Sequence, residues 1–334
     1  MHILRWPALG ALLTAGLAAS FQQSGVADPA TRAICASVEH VAPPVADRPD
    51  ASERAALAGC VAADLYFGFG RPSDPARARK CAFLEMERGE REPVIGGKAL
   101  LMMVYANGKG ADRNFDVALG LACAIGGAPQ DVAGRVQHLA RLRAARWTGD
   151  GFSICDHSSG RALYEQCAIL QERFDSIDRA TRLLAITSRW DAPTLKAFDQ
   201  LRRAANAFFH VHATKESNLE ATFEVQERAA LEDGLLTALE RFEQGDLPGF
   251  SAADLRQAEA DLDALYAGTQ RGQTRTWGTV NADGIRDAQQ AWLAYRDAWV
   301  AFGTTRYRTI AAPAWRLWLT QERVGMLVKF PQSR

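Results

Sequence analysis

Three clusters in this chain combine residue types that do chemistry. His210 and His212 form H-V-H, with Asp199, Glu216 and Glu220 nearby as further metal-ligating types. On a helix, residues two apart project from different faces, so these two imidazoles do not converge on one ion. Asp156, His157, Ser158 and Ser159 place a carboxylate, an imidazole and two hydroxyls in succession. No G-x-S-x-G elbow or H-E-x-x-H accompanies them, and a polar turn accounts for the run. Gly68-x-Gly70 and Gly108-x-Gly110 are the glycine pairs that would cradle a phosphate. The segments before them are apolar and helical, and no G-K-[ST] follows. None of the three completes a catalytic, metal or cofactor constellation, so the chain reads as a non-enzyme with no cofactor.

A fourth cluster lies in Ile285 to Phe302, where Gln289, Trp292, Tyr295, Arg296 and Asp297 form Q-x-x-W-x-x-Y-R-D. Ile285, Ala288, Trp292, Tyr295, Trp299 and Phe302 recur at spacings of three and four, which places an aromatic stripe along one face of a helix. Arg296 and Asp297 stand beside the stripe. One or the other, Arg296 or Asp297, is expected to hold neighbouring helices through charged hydrogen bonds, with Arg323 or Asp261 as partner, such a bond being worth about 1.5–3 kcal/mol.

The elements around these clusters read as helices almost throughout. Asp50, with Glu53 three residues on, opens one helix as a capping box; Val41 to Pro49, with three prolines, is expected to be extended. A period of about forty residues follows: Gly68, Gly70, Ala78 and Ala82 match Gly108, Gly110, Ala118 and Ala122. The pattern is that of an αα-hairpin, in which the glycines turn the chain and the alanines let the second helix pack closely. Further on, Asp191 and Pro193 start a helix with Leu195, Phe198, Leu201, Ala205 and Phe208 on its apolar side, and Asn218 to Gln244 forms another. Gly245 to Ser251 is a turn-rich boundary. Ala252 to Ala267, the striped helix and a helix from Pro313 then make a C-terminal three-helix bundle, with a polar loop carrying Arg271, Arg275 and Trp277 between the first two. The fold class is all-α: hairpin repeats, long helices, then the bundle.

Composition bounds the function. With 48% hydrophobic and 23% charged residues the chain is a folded protein, and its zero formal net charge gives no general attraction to nucleic acid. Arg5 followed by the apolar run Trp6 to Ala19 has the layout of a signal peptide, cleaved by residue 27. No later stretch is long and apolar enough to span a membrane in the mature chain. Export to the periplasm makes the six cysteines, Cys35, Cys60, Cys81, Cys123, Cys155 and Cys167, candidates for disulfides. Cys155 with Cys167 closes a short loop and is the favoured pair. Six cysteines allow 15 connectivities, and the sequence does not choose among those of the other four.

Two family resemblances follow from these motifs. The forty-residue units, about 51–127, resemble SEL-type repeats, relatives of the tetratricopeptide repeats, which implies a stacked surface that holds other proteins. The C-terminal segment, about 252–329, resembles the lysozyme-inhibitor LprI-like family. The match rests on Leu262 and Tyr266, on the Q-x-x-W-x-x-Y-R-D residues, and on Leu319, Thr320, Arg323 and Leu327 as L-T-x-x-R-x-x-x-L. The family commonly has a cysteine soon after Y-R-D; this chain has none beyond Cys167, so its bundle must rely on its aromatic core.

The resulting division is a signal peptide at 1–27, a repeat region at 28–150, a central helical region at 151–250 and the LprI-like bundle at 251–334. The reading with fewest assumptions is a periplasmic protein-interaction scaffold. The alternative is an inhibitor of lysozyme-like hydrolases, the protein partner the resemblance implies, with Arg271, Arg275 or Trp277 entering a carboxylate-lined cleft. Charge favours other surfaces for a basic hydrolase: 251–334 holds eleven basic and eight acidic residues, whereas 195–250 holds six basic and ten acidic. The motif residues Gln289, Trp292, Tyr295, Arg296, Asp297, Thr320 and Arg323 are expected to be chiefly structural.

Overall fold

The computed structural model describes residues 28–88, 95–217, 221–271 and 276–330. The segment read as a signal peptide lies outside them. Among the described residues the regular structure is helical apart from one hairpin of two-residue strands, Thr276–Trp277 and Val280–Asn281, in which Thr276 pairs with Asn281 and Trp277 with Val280. It divides into two compact units, Met1–Leu163 and Tyr164–Arg334.

The first unit begins with α1 (Pro29–Val38), followed by α2 (Ala51–Ala56), α3 (Ala62–Phe67), α4 (Pro75–Glu87), α5 (Gly97–Asn107), α6 (Phe115–Ala124) and α7 (Pro129–Ala144). Asp50 and Glu53 form the expected reciprocal capping box of α2. The stretch before it is not wholly extended. Pro44 starts a 3-10 turn at Val45–Asp47, and this turn lets the Asp47 carboxylate accept from the Tyr105 hydroxyl at 2.8 Å and pair with Arg79 at 3.1 Å.

The forty-residue period is a repeat of backbone geometry. Helices α3 and α5 both end on a left-handed glycine, Gly68 at φ 84° and Gly108 at φ 63°. Asp74 N donates to Leu65 O at 2.8 Å, and forty residues on Asn114 N donates to Tyr105 O at 2.9 Å. Asp74 and Asn114 then cap α4 and α6 with their side chains. Ala78, Ala82, Ala118 and Ala122 are fully buried, which is what lets each second helix lie close. Tyr66 and Tyr105 are not equivalent in this register: Tyr66 accepts from Asn107 at 3.0 Å, whereas Tyr105 reaches Asp47. Disulfides Cys35–Cys123 and Cys60–Cys81 tie α1 to α6 and the start of α3 to α4. Cys155 and Cys167 are also disulfide-bonded.

The second unit contains α8 (Arg161–Thr187, whose first turn precedes the division), α9 (Ala192–Val211), α10 (Ala221–Glu243), α11 (Ala252–Gln270), α12 (Ala282–Arg306) and α13 (Ala312–Leu327). Asp191 caps α9, and Pro193 sits in its first turn. The three C-terminal helices do not close on themselves. Helix α9 lies along α12, and one apolar core runs from Trp190 and Phe198 through Phe242 to Trp315 and Phe330. Central and C-terminal helices therefore share a single interior.

Candidate binding surface and its buried polar support

The interior of the second unit contains a charged cluster. Helix α9 ends in a π-helical turn, His212–Glu216, closed by Ser217 N donating to His212 O at 2.9 Å. The turn points His212 and Glu216 inward; they are 1% and 0% exposed. Helix α12 approaches this turn closely because residue 284 is glycine. A Cβ there would lie 2.5 Å from the Lys215 carbonyl oxygen. That approach brings Gln289 of α12 and Arg323 of α13 over the turn.

Arg323 is wholly buried and fully engaged. Its Nη1 and Nη2 each donate to the Glu216 carboxylate at 2.7 Å, and its Nε donates to Gln289 Oε1 at 2.9 Å. The guanidinium also lies over the Phe208 ring at 5.7 Å. His212 Nδ1 is 2.7 Å from Glu216 Oε2, and its Nε2 is 3.1 Å from Glu227 Oε1. Burial alone would lower the His212 pKa, but the two carboxylates outweigh it and hold it above the ordinary value. Burial would raise Glu216, yet His212 and Arg323 bring it below the usual carboxylate range. Glu227 is held low by its bond to His212. Arg323 and His212 thus meet Glu216 and Glu227 in one hydrogen-bonded network that includes a bidentate ion pair.

The motif residues divide into interior and surface groups. Gln289 and Arg323 belong to the network. Trp292, Tyr295 and Thr320 are buried, and Tyr295 stacks on Phe208 at 5.4 Å. Trp299 lies face to face with Trp315 at 6.2 Å and edge-on to Trp318 at 5.1 Å. Arg296 and Asp297 do not bridge helices. They pair with each other at 2.9 Å on the outside of α12, and Arg296 lies over Trp292 at 5.4 Å. Arg323, proposed as their partner, is taken by Glu216, the stronger site because it is dry and bidentate. Arg271 is exposed at the end of α11; Arg275 and the side chain of Trp277 lie outside the described residues.

Sequence reasoning raised Glu216 only as a neighbour of H-V-H, and the usable signal was its i,i+4 spacing from His212. His210, the other half of H-V-H, is exposed, and no metal-binding group of side chains occurs among the described residues. The Asp156–Ser159 run is a turn: Ser153 and Asp156 form a capping box, and Ser159 donates to Asp131. The acidic charge of the central helices is largely used within the unit. Glu240 pairs with Arg182, Glu243 with Arg306, and Glu232 with Arg179, whereas Asp233 meets Arg179 only at 3.5 Å and stays half-exposed.

One open cleft adjoins the motif. It has a volume of about 450 Å³ between α10 and the α9, α12 and α13 helices. Trp292, Tyr295 and Trp318 line its aromatic side, and Asp233 and Glu322 stand in its wall. Arg241, also in the wall, is neutralised by Asp246 at 2.7 Å. An aromatic surface with carboxylates around it suits a cationic side chain inserted from a partner.

The second unit is thus a helical module with a charged interior and an aromatic cleft. Residues 242–327 match the family model of lysozyme inhibitor LprI, an inhibitor family rather than an enzyme family. The match starts in the last turn of α10, where Phe242 packs edge-on to Trp299, Trp315 and Trp318 and Glu243 ties Trp190, Arg306 and Tyr307. It omits α9 and the π turn, so the carboxylate that pairs with Arg323 lies outside the matched segment. No curated protein and no solved structure matches the chain significantly.

Proposed function

We propose that this is an exported, periplasmic protein-binding protein whose second unit captures and inhibits a lysozyme-like hydrolase. The observation that carries the reading is the LprI match over the helices that build the aromatic cleft. Disulfide bonding of all six cysteines fits an oxidising compartment, and no described helix is long and apolar enough to cross a membrane. The cleft between α10 and α12 is the proposed contact for a basic hydrolase, with Asp233 and Glu322 receiving its cationic side chains. The loop carrying Arg271, Arg275 and Trp277 is the proposed contact for the hydrolase's catalytic carboxylates.

Purified oxidised protein added to a basic c-type lysozyme should slow the clearing of a cell-wall suspension and bind by calorimetry. The double variant Asp233→Ala, Glu322→Ala should weaken binding while leaving the helical circular dichroism unchanged. Absence of both binding and inhibition at high molar excess contradicts the reading. In that case the stacked hairpins support a scaffold role, in which SEL-type repeats hold a different protein, and a pull-down from periplasmic extract identifies it.

A further inference from the structure

A second cleft lies wholly within the first unit, with a volume of about 530 Å³, in the range of small-molecule sites. It opens at the start of α7. This helix has sixteen residues, begins Ala128–Pro129, and has no side chain capping its N-terminus. The positive end of its dipole therefore borders the cleft, which Ala128 and Asp131 line, with no capping side chain.

The independent observation is Arg135, which lines the cleft although only 1% of the residue is exposed. Its Nε donates to Ala122 O at 3.1 Å, and its Nη2 donates to the carbonyls of Ile125 and Gly126. Its Nη1 takes part in none of these bonds. Among the described residues no carboxylate lies within ion-pair distance; burial pushes the guanidinium pKa down to about 10, with only the charge of Asp131 opposing. Carbonyl dipoles are a weak substitute for a counter-ion, so this buried cation favours a bound anion.

Asp131 supplies the complementary group. Its Oδ1 accepts from Ser159 N, Ser159 Oγ and Gly160 N at 2.8, 2.7 and 2.8 Å. Its Oδ2 has none of these donors. The missing Cβ of Gly127, at φ 134°, leaves open a position 3.8 Å from Arg135 Nη1 and 4.0 Å from Asp131 Oδ2. A donor and an acceptor of opposite charge are therefore reachable from one point in the cleft. Lys98 and Arg161 also line it.

We propose that this cleft binds an α-carboxylate together with its adjacent N–H group, as carried by a free amino acid or by the C-terminal residue of a peptide. The carboxylate sits on Arg135 Nη1 and the start of α7, and the N–H donates to Asp131 Oδ2. The site belongs to the repeat unit and is independent of hydrolase binding by the second unit.

Calorimetry on the full oxidised protein tests this with three probes: L-alanine, L-alanyl-L-alanine and L-alanyl-L-alaninamide. At least one carboxylate probe should bind, and the amide should bind about tenfold or more weakly. Binding of L-alanine identifies the free amino acid as the ligand class; binding of the dipeptide alone identifies a peptide terminus. Arg135→Met should abolish binding. Because Arg135 also holds three carbonyls, Ala162→Trp, which fills the cleft from an exposed helical position, provides the second variant and should abolish binding with the melting temperature unchanged. No heat from either carboxylate probe, equal binding of the amide, or undiminished binding by Ala162→Trp would overturn the proposal.

Discussion

The two units solve the same problem with different materials. The first packs small helices on alanines and fixes its turns covalently and through backbone carbonyls. It has two internal disulfides, and Arg113 alone donates to the carbonyls of Ala106, Asn107, Trp147, Thr148 and Gly149. The second contains a single cysteine, Cys167, and so has no disulfide of its own. It uses large aromatic rings and a buried ion network instead. A repeat of short hairpins buries little apolar area per unit, so cross-links that restrict its unfolded state contribute most. Long helices bury enough ring surface to bear the cost of dehydrating charges.

The contrast can be broken at several points. The largest effect is expected from Trp299→Ala, which removes the ring stacked on Trp315 and should cost the second unit about 3–5 kcal/mol in denaturant unfolding. Six of the eight tryptophans lie beyond residue 163, so tryptophan fluorescence reports chiefly on this unit. Replacing Cys35 and Cys123 by alanine should cost the first unit about 2–5 kcal/mol, seen by circular dichroism, and leave the tryptophan transition in place. A shift of both transitions would show that the units do not unfold separately.

The hairpin half of this contrast was legible in the sequence because it is local. Glycine at 68 and 108, alanine at 78 and 118, and capping residues at 74 and 114 each act within one hairpin. The Cys35–Cys123 pairing was not legible, since the two cysteines are 88 residues apart and nothing local pairs them. In the second unit the aromatic stripe gave the core face of α12 correctly. The partner of Arg323 was hidden: Glu216 is 107 residues away and points inward only because the helix widens into a π turn. Arg296 and Asp297 misled for the opposite reason. Their adjacency satisfies each other's charge on the surface, which leaves nothing to bridge.

Smaller effects sharpen the comparison. His212 titrates higher in the folded protein than its ordinary 6.5, so its contribution is complete below that value and is lost as pH rises through the folded pKa. Glu216 and Glu227 titrate below their ordinary 4.5, so theirs is complete above that value and is lost as pH falls through their folded pKa. The second unit should be most stable between those two values, which denaturant midpoints across pH 3–9 would show. The least effect is expected from Arg296→Ala, under about 1 kcal/mol, because its pair with Asp297 is solvated.

Gln289 and Arg323 of the family motif act as internal support in this chain, completed by the Glu216 carboxylate outside the matched segment. Fluorescence-monitored unfolding of Arg323→Leu, Glu216→Leu and the double variant tests it most directly. Each single change should cost about 3–5 kcal/mol by stranding a buried charge, and the double change should recover much of that loss. Single variants that unfold with the midpoint of the unaltered protein, or losses that simply add, would contradict it.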